Sequence, residues 1–264
     1  MSVGKPEETR ARAGGADAAP TAALVVIGDE ILSGRTQDRN IATIARWLGA
    51  RGIALVEVRI VPDEEAAIIA AVRALKDAVD YLFTTGGIGP THDDITAEAV
   101  ARALGRPLVI HDEAFRRLKA HYGAERFTPA RQRMARTPQG AALIDNPISV
   151  APGFRVDNVF VLAGVPEIAA AMLDSLEPVI TGGPPVLSRV LDVPLPESAF
   201  ADALAAIAAA HPDVRIGSYP YYRDGRAGAQ IVLRGRDPEA LARAAEAIEA
   251  AAAAAGVPAR RIGE

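Results

Sequence analysis

Three glycines, a threonine and two aspartates crowd into the string TTGGIGPTHDDIT, Thr84 to Thr96, in an order that suits capture of an anion. Gly86, Gly87 and Gly89 let a backbone approach a charged ligand closely. A helix opening directly after them would point free N–H groups and the positive end of its dipole at that ligand. Thr91 adds a hydroxyl donor. Asp93 and Asp94 fall at the helix start, where two roles stand open: capping of the helix N-terminus, or holding a divalent ion shared with phosphate groups.

Two further strings carry the same kind of chemistry. IGDEILSGRTQDRN, Ile27 to Asn40, supplies the carboxylates of Asp29, Glu30 and Asp38, with Ser33, Thr36 and Asn40 as neutral hydrogen-bonding groups. Simple capping of the helix that follows is the plainer role for Asp38, with a ligand role favoured over it. LAGVPEI, Leu162 to Ile168, sets Gly164 and Pro166 ahead of a helix, so its N-terminus can hold another phosphate or carboxylate. His92 is a candidate proton carrier inside the first string, and no second His stands at ligand spacing from it. The arginines 126, 131, 133 and 136 read as a solvated helix face, with a phosphate clamp as the alternative. The glycine loop lacks the Lys-Ser/Thr ending of a P-loop, and neither a nucleophile elbow nor a Ser-His-Asp arrangement is apparent.

All three strings follow runs that read as strands. AALVVI from Ala22, IALVEVRI from Ile53, YLFTT from Tyr81 and VFVLA from Val159 alternate with helical spacing over 40–50, 64–78, 96–104 and 166–176. This is the pattern of βαβ units on a mostly parallel sheet covered on both faces, whose carboxyl edge binds ligands. Residues 115–151 break the alternation, and helices with a loop are expected there before the last strand. TGGPP, Thr181 to Pro185, reads as a linker. The remainder has a β-α-β-β-α order, a small α+β domain. The expected division is a disordered tail over 1–21, a first domain over 22–180 and a second over 186–264.

A formal net charge of -4 argues against a broad electrostatic footprint for nucleic acid or anionic lipid, so an anionic ligand must be held by a local site. The chain has no cysteine, which excludes disulfides, thiolate metal sites and Cys nucleophiles, and a cytoplasmic location is expected. Neither a signal peptide nor a membrane span is read from the apolar runs.

Taken together, GDEILSG with DRN, TTGGIGPTHDDIT, DNPISVAPGF (Asp145 to Phe154) and LAGVPEI resemble the MoaB/Mog molybdopterin-binding domain family. Their order is most similar to the branch that forms the N-terminal domain of CinA proteins. SYPYY, Ser218 to Tyr222, resembles part of the small domain that follows in that branch. The resemblance implies a three-layer α/β fold, self-association into a homo-oligomer, and a phosphate-bearing ligand over the glycine loop. One branch adenylylates or carries molybdopterin. The branch similar to CinA is associated with cleavage of ADP-ribose-type pyrophosphates using a divalent metal ion such as Mg, Mn or Co. The resemblance makes Asp94 and Asp38 the catalytic and metal-handling acids. It makes Gly86, Gly87, Gly89 and Thr91 the anion cradle, with Gly164 beside it. A binding module or carrier for molybdopterin or a nucleotide is the alternative. Ala163 stands where the family reads proline, and a chain ending at Glu264 is expected to lack the amidohydrolase domain and NMN deamidation.

Overall fold

The computed structural model describes residues 19–223 and 225–262. Most of the expected 1–21 tail therefore lies outside the described residues, and Thr21 already opens the first strand. The chain divides into two compact units between Gly183 and Pro184.

In the first unit, β1 (Thr21–Ile27), α1 (Asp29–Leu32), α2 (Asn40–Gly49), β2 (Ala54–Val61), α3 (Glu65–Lys76), β3 (Tyr81–Thr85) and α4 (Thr96–Ala103) come first. They are followed by β4 (Leu108–Ile110), α5 (Asp112–Tyr122), α6 (Pro129–Arg133), β5 (Arg136–Pro138), β6 (Ala142–Ile144), β7 (Gly153–Val156), β8 (Val159–Leu162) and α7 (Pro166–Ser175). Six strands form one sheet in the order β2-β1-β3-β8-β7-β6. The strands from β2 to β8 run parallel, and β7 and β6 continue the sheet antiparallel.

Side chains of β1 alternate between two buried faces, which explains its uninterrupted apolar run. Ala23, Val25 and Ile27 pack with Val72 and Leu75 of α3 and Val100 of α4. Leu24 and Val26 pack with Ile44 and Leu48 of α2 and Met172 of α7 on the other side. The sheet is thus the middle of three layers, as the family resemblance implies. The insertion over 115–151 differs from its expected form. It contains α5 and α6 but also β5 and β6, and β4 pairs antiparallel with β5. These three-residue strands are too short for alternation to be legible in sequence, and their pairing is set by the surfaces they meet.

The second unit contains β9 (Leu187–Val193), α8 (Glu197–Ala210), β10 (Arg215–Arg223), β11 (Arg226–Gly235), α9 (Pro238–Ala254) and β12 (Arg260–Ile262). It gains β12 beyond the expected β-α-β-β-α order, giving a four-stranded sheet β10-β11-β9-β12 with antiparallel neighbours. Leu191, Ile231 and Leu233 face Phe200 of α8 and Leu241 and Ile248 of α9 in its core.

Candidate ligand-binding cleft

The carboxyl ends of β1, β2, β3 and β8 meet around a cleft of about 600 Å³. Its floor is the glycine loop. Gly86 has φ +102 and a Cβ there would lie 2.2 Å from the Ile27 carbonyl oxygen. Gly87 has φ +65, and its Cβ would lie 2.3 Å from Thr96 Oγ1. Both positions exclude a side chain because the end of β3 is pressed against β1 and against the start of α4. The Thr96 hydroxyl donates to the Gly86 carbonyl at 2.9 Å, and Thr96 N–H to the Gly87 carbonyl at 3.0 Å. Among the described residues, the N–H groups of Gly87, Ile88 and Gly89 donate to no backbone carbonyl. Gly86, Gly87 and Gly89 all line the cleft, as does Gly164, which closes on Gly86 from the end of β8. Successive unpaired N–H groups of this kind form an anion-binding concavity.

The loop is closed by its own acids. Asp94 Oδ2 accepts from Thr91 N–H at 2.7 Å and from the Thr91 hydroxyl, which also lies against Asp93 Oδ1. Asp94 therefore ties the loop back on itself rather than capping α4, whose N-cap residue Ile95 has no side-chain cap. Thr91 is exposed and is absent from the cleft lining, its hydroxyl being turned to the two carboxylates. Its hydrogen bond holds the Asp93 carboxyl below the usual carboxylate range, helped by the charges of His92 and Arg133. Both aspartates line the cleft.

Asp38 stands elsewhere. Its Oδ1 accepts from Ile41 N–H at 2.7 Å in the first turn of α2, and it does not line the cleft. That placement matches the plainer capping role. The next-but-one residue has the more direct connection: Asn40, buried, donates from Nδ2 to the Gly164 carbonyl at 2.8 Å. This bond pins the loop that contains Ala163. His92 is 96% exposed, its nearest carboxylate being Asp93 at 3.9 Å.

Several lining residues were not singled out from sequence. Asp63, just beyond β2, accepts from Asp29 N–H at 2.9 Å and faces the cleft together with Glu30. Burial raises its carboxyl pKa above the ordinary value, against the lowering effect of that hydrogen bond, and the charges of Asp29, Glu30 and Asp93 raise it further. The rule that ligands meet the carboxyl edge of a parallel sheet applies to β2 as it does to β1, and would have found Asp63. The insertion contributes Tyr122 and Met134, and Asn146 and Ser149 come from the turn before β7. The arginines of the insertion are not a solvated face. Arg133 donates to the carbonyls of Pro90 (2.8 Å) and Thr91, Arg136 pairs with Glu98 of α4, and Arg131 stacks 4.2 Å over the Tyr122 ring. Arg133 thus fastens the insertion to the glycine loop and Arg136 fastens it to α4, while Arg131 braces the insertion internally.

The family described as "probable molybdopterin binding domain" matches residues 23–182, and "FAD synthase, middle domain" matches residues 185–260. The unit after the first domain is thus of the FAD synthase middle type rather than an amidohydrolase. A protein of Archaeoglobus fulgidus is 33% identical over 227 residues, which is 86% of this chain and 95% of that protein. A CinA-like protein of Desulfosudis oleivorans is 37% identical over 209 residues, covering 74% of this chain and 51% of its own length. The crystal structure of CinA from Thermoplasma acidophilum, a protein described as of unknown function, is 35% identical. It has a TM-score of 0.58 and covers 61% of this chain and 97% of that one.

Proposed function

We propose a function from one premise: the chain belongs to the family of the probable molybdopterin binding domain. On this reading the cleft binds a phosphate-bearing ligand and, with a divalent ion, hydrolyses the pyrophosphate of an ADP-ribose-like dinucleotide. One observation carries it. The N–H groups of the glycine loop share their cleft with Glu30, Asp63, Asp93 and Asp94, while no Lys or Arg lines it among the described residues. A phosphate seated on the loop would meet four carboxylates, whose charge Arg133 offsets only in part, through Asp93. Two like charges ~5 Å apart repel by about 3 kcal/mol at an effective dielectric of about 20. Such a site favours an anion that arrives with its own cation.

Among the described residues no three His, Asp or Glu side chains form a cation cage, so a site made of protein ligands alone does not fit. One or two carboxylates beside ligand phosphates do fit, as magnesium sites are commonly built. Asp93 and Asp94 are the residues that would hold the ion, and manganese or cobalt could take its place. Such an ion supplies charge neutralisation and Lewis acidity when bound. The chain's own residues do the rest. The N–H groups of Gly87, Ile88 and Gly89 hold one phosphate, and one carboxylate of the same cleft, Glu30, accepts the proton of a water with Asp63 beside it. The water oxygen forms a bond to phosphorus as the bridging P–O bond breaks, releasing AMP and ribose 5-phosphate. Asp38 enters as a positioning residue that fixes the start of α2, from which Asn40 holds the Gly164 loop.

The experiment is AMP release from ADP-ribose and FAD with magnesium, manganese or cobalt, alongside Asp94→Asn. Metal-dependent release lost in the variant supports hydrolysis. No release from either substrate moves the reading to a second one, favoured by the family match itself: a binding module for molybdopterin or a nucleotide. A fluorescent pterin co-purifying with the protein would then be the supporting result. Self-association fits edge strand β2, where Val56 (58% exposed), at the bulge against β1, and Val58 (36%) and Ile60 (39%) leave apolar side chains uncovered. If a second copy docks there, Val58→Glu lowers the molar mass measured by light scattering.

A further inference from the structure

The second unit carries a surface of opposite charge to the cleft. Residues directly opposed across the β10–β11 ladder share a face, and Ala229, Ile231 and Leu233 turn to the helices. The alternate residues are therefore on the bare face, and among them arginine is opposed to arginine twice. Arg223 stands across from Arg226 at one end of the hairpin and Arg215 across from Arg234 at the other. Like charges directly opposed destabilise a sheet, and none of these four makes an ion pair among the described residues. Arg260 of β12 adds a fifth basic group, over Asp192 at 3.6 Å.

Between the two arginine pairs lie tyrosines. Tyr219 is 52% exposed, with Gln230 opposite it. Tyr221 lies across Gly228, where a Cβ would come within 2.4 Å of its ring, and its hydroxyl donates to Asp192 Oδ1 at 2.5 Å. Its ring is thus held flat, and Arg223 stacks over it at 4.6 Å.

We infer that this open face of the second unit binds single-stranded nucleic acid, the arginine pairs holding phosphates, Tyr219 stacking a base and Tyr221 holding Arg223 in place. The arginine pairs are eight residues apart, about 27 Å at ~3.4 Å per residue. That is the reach of roughly four to eight nucleotides, beyond one mononucleotide. Polyphosphate would satisfy the arginines but leave Tyr219 unused. A second copy pairing edge to edge is disfavoured because Pro220, in the middle of edge strand β10, has no N–H to donate. Four-stranded sheets with aromatic side chains on an open face are an established way of stacking unpaired bases. The acidic net charge of the chain conceals this face, because its arginines are gathered on one side of one unit. The inference does not depend on the function proposed for the cleft.

The test is fluorescence anisotropy of the full chain with labelled ten-nucleotide oligo-uridine and oligo-thymidine at low salt, with unlabelled polyphosphate and poly-glutamate as competitors. The expected result is micromolar binding that falls steeply with salt. Tyr219→Ala should weaken the oligonucleotides about tenfold and leave polyphosphate competition unchanged. Arg223→Gln should weaken both several-fold and reduce the salt slope by about one. Both positions are exposed, and an unchanged Tm confirms that the variants are folded. Absence of oligonucleotide binding overturns the inference. So does competition by polyphosphate or poly-glutamate at equal charge with no effect of Tyr219→Ala, which would assign the face to polyanions or acidic proteins in general.

Discussion

The cleft of the first unit and the open sheet face of the second are proposed to solve one problem, the recognition of phosphate, in two different ways. In the cleft the donors are backbone N–H groups and the lining side chains are acidic. On the face the backbone is consumed by the ladder, and the donors are arginines with tyrosines between them. Backbone donors are fixed in place by the fold and leave the charge balance to a cation, whereas arginine side chains bring their own charge. The first arrangement suits a compact ligand with a metal, and the second an extended one without.

The sharpest way to break this comparison is a chelator. Removing divalent ions should lower the affinity of ADP-ribose for the cleft at least tenfold while leaving oligonucleotide binding within about twofold, both read by titration. Equal sensitivity at both places would erase the distinction. Gly86→Ala comes next. Its Cβ would meet backbone at 2.2 Å in a left-handed conformation, so a loss of about 2–4 kcal/mol is expected, lowering Tm by roughly 5–15 °C. Gly225→Ala, also at positive φ but with nothing within 4 Å, should lose only about 1 kcal/mol.

A smaller effect is expected at Arg133. Replacement by Met removes its hydrogen bonds to the Pro90 and Thr91 carbonyls and frees the glycine loop from the insertion. Ligand affinity should fall about three- to tenfold, with little change in Tm and no change in oligonucleotide binding.

The smallest is Asp63→Asn. The raised pKa of Asp63 means that the folded chain binds this proton more tightly than the unfolded chain does, so the ionised carboxylate costs stability above its folded pKa. The cost is relieved as pH falls through that pKa toward the ordinary carboxylate range. Asparagine can still accept from Asp29 N–H. It should raise Tm slightly at pH 7, and the gain should fade as pH falls into the ordinary carboxylate range. A gain that grows as pH falls would contradict this account of the acidic wall.

Legibility in the sequence divides along similar lines. The floor of the cleft was readable because strand, glycine turn and helix are contiguous from Tyr81 to Ala103, and the glycines state a backbone requirement that holds in any surroundings. Asp63 is legible once the same carboxyl-edge rule is applied to β2, whereas Tyr122 and Met134 reach the cleft only through the folded insertion. Asp38 and Thr91 show the converse. Their types suit ligand chemistry, but local hydrogen bonds to Ile41 N–H and to the two aspartates occupy them. Arg133 and Arg136 belonged to a run that looked solvated because nothing local marks the carbonyls and the carboxylate they meet 38–43 positions away. The arginine oppositions of the second unit depend on strand register, which a hairpin fixes only once its turn and its buried side are set.

The most direct test of the central claim is calorimetric titration of the full chain with ADP-ribose, once with magnesium and once with EDTA. Binding that requires magnesium, and that Asp94→Asn weakens about tenfold or more, is the predicted result. Equal affinity with and without the ion would contradict the account, because the acidic cleft would then hold phosphate unaided.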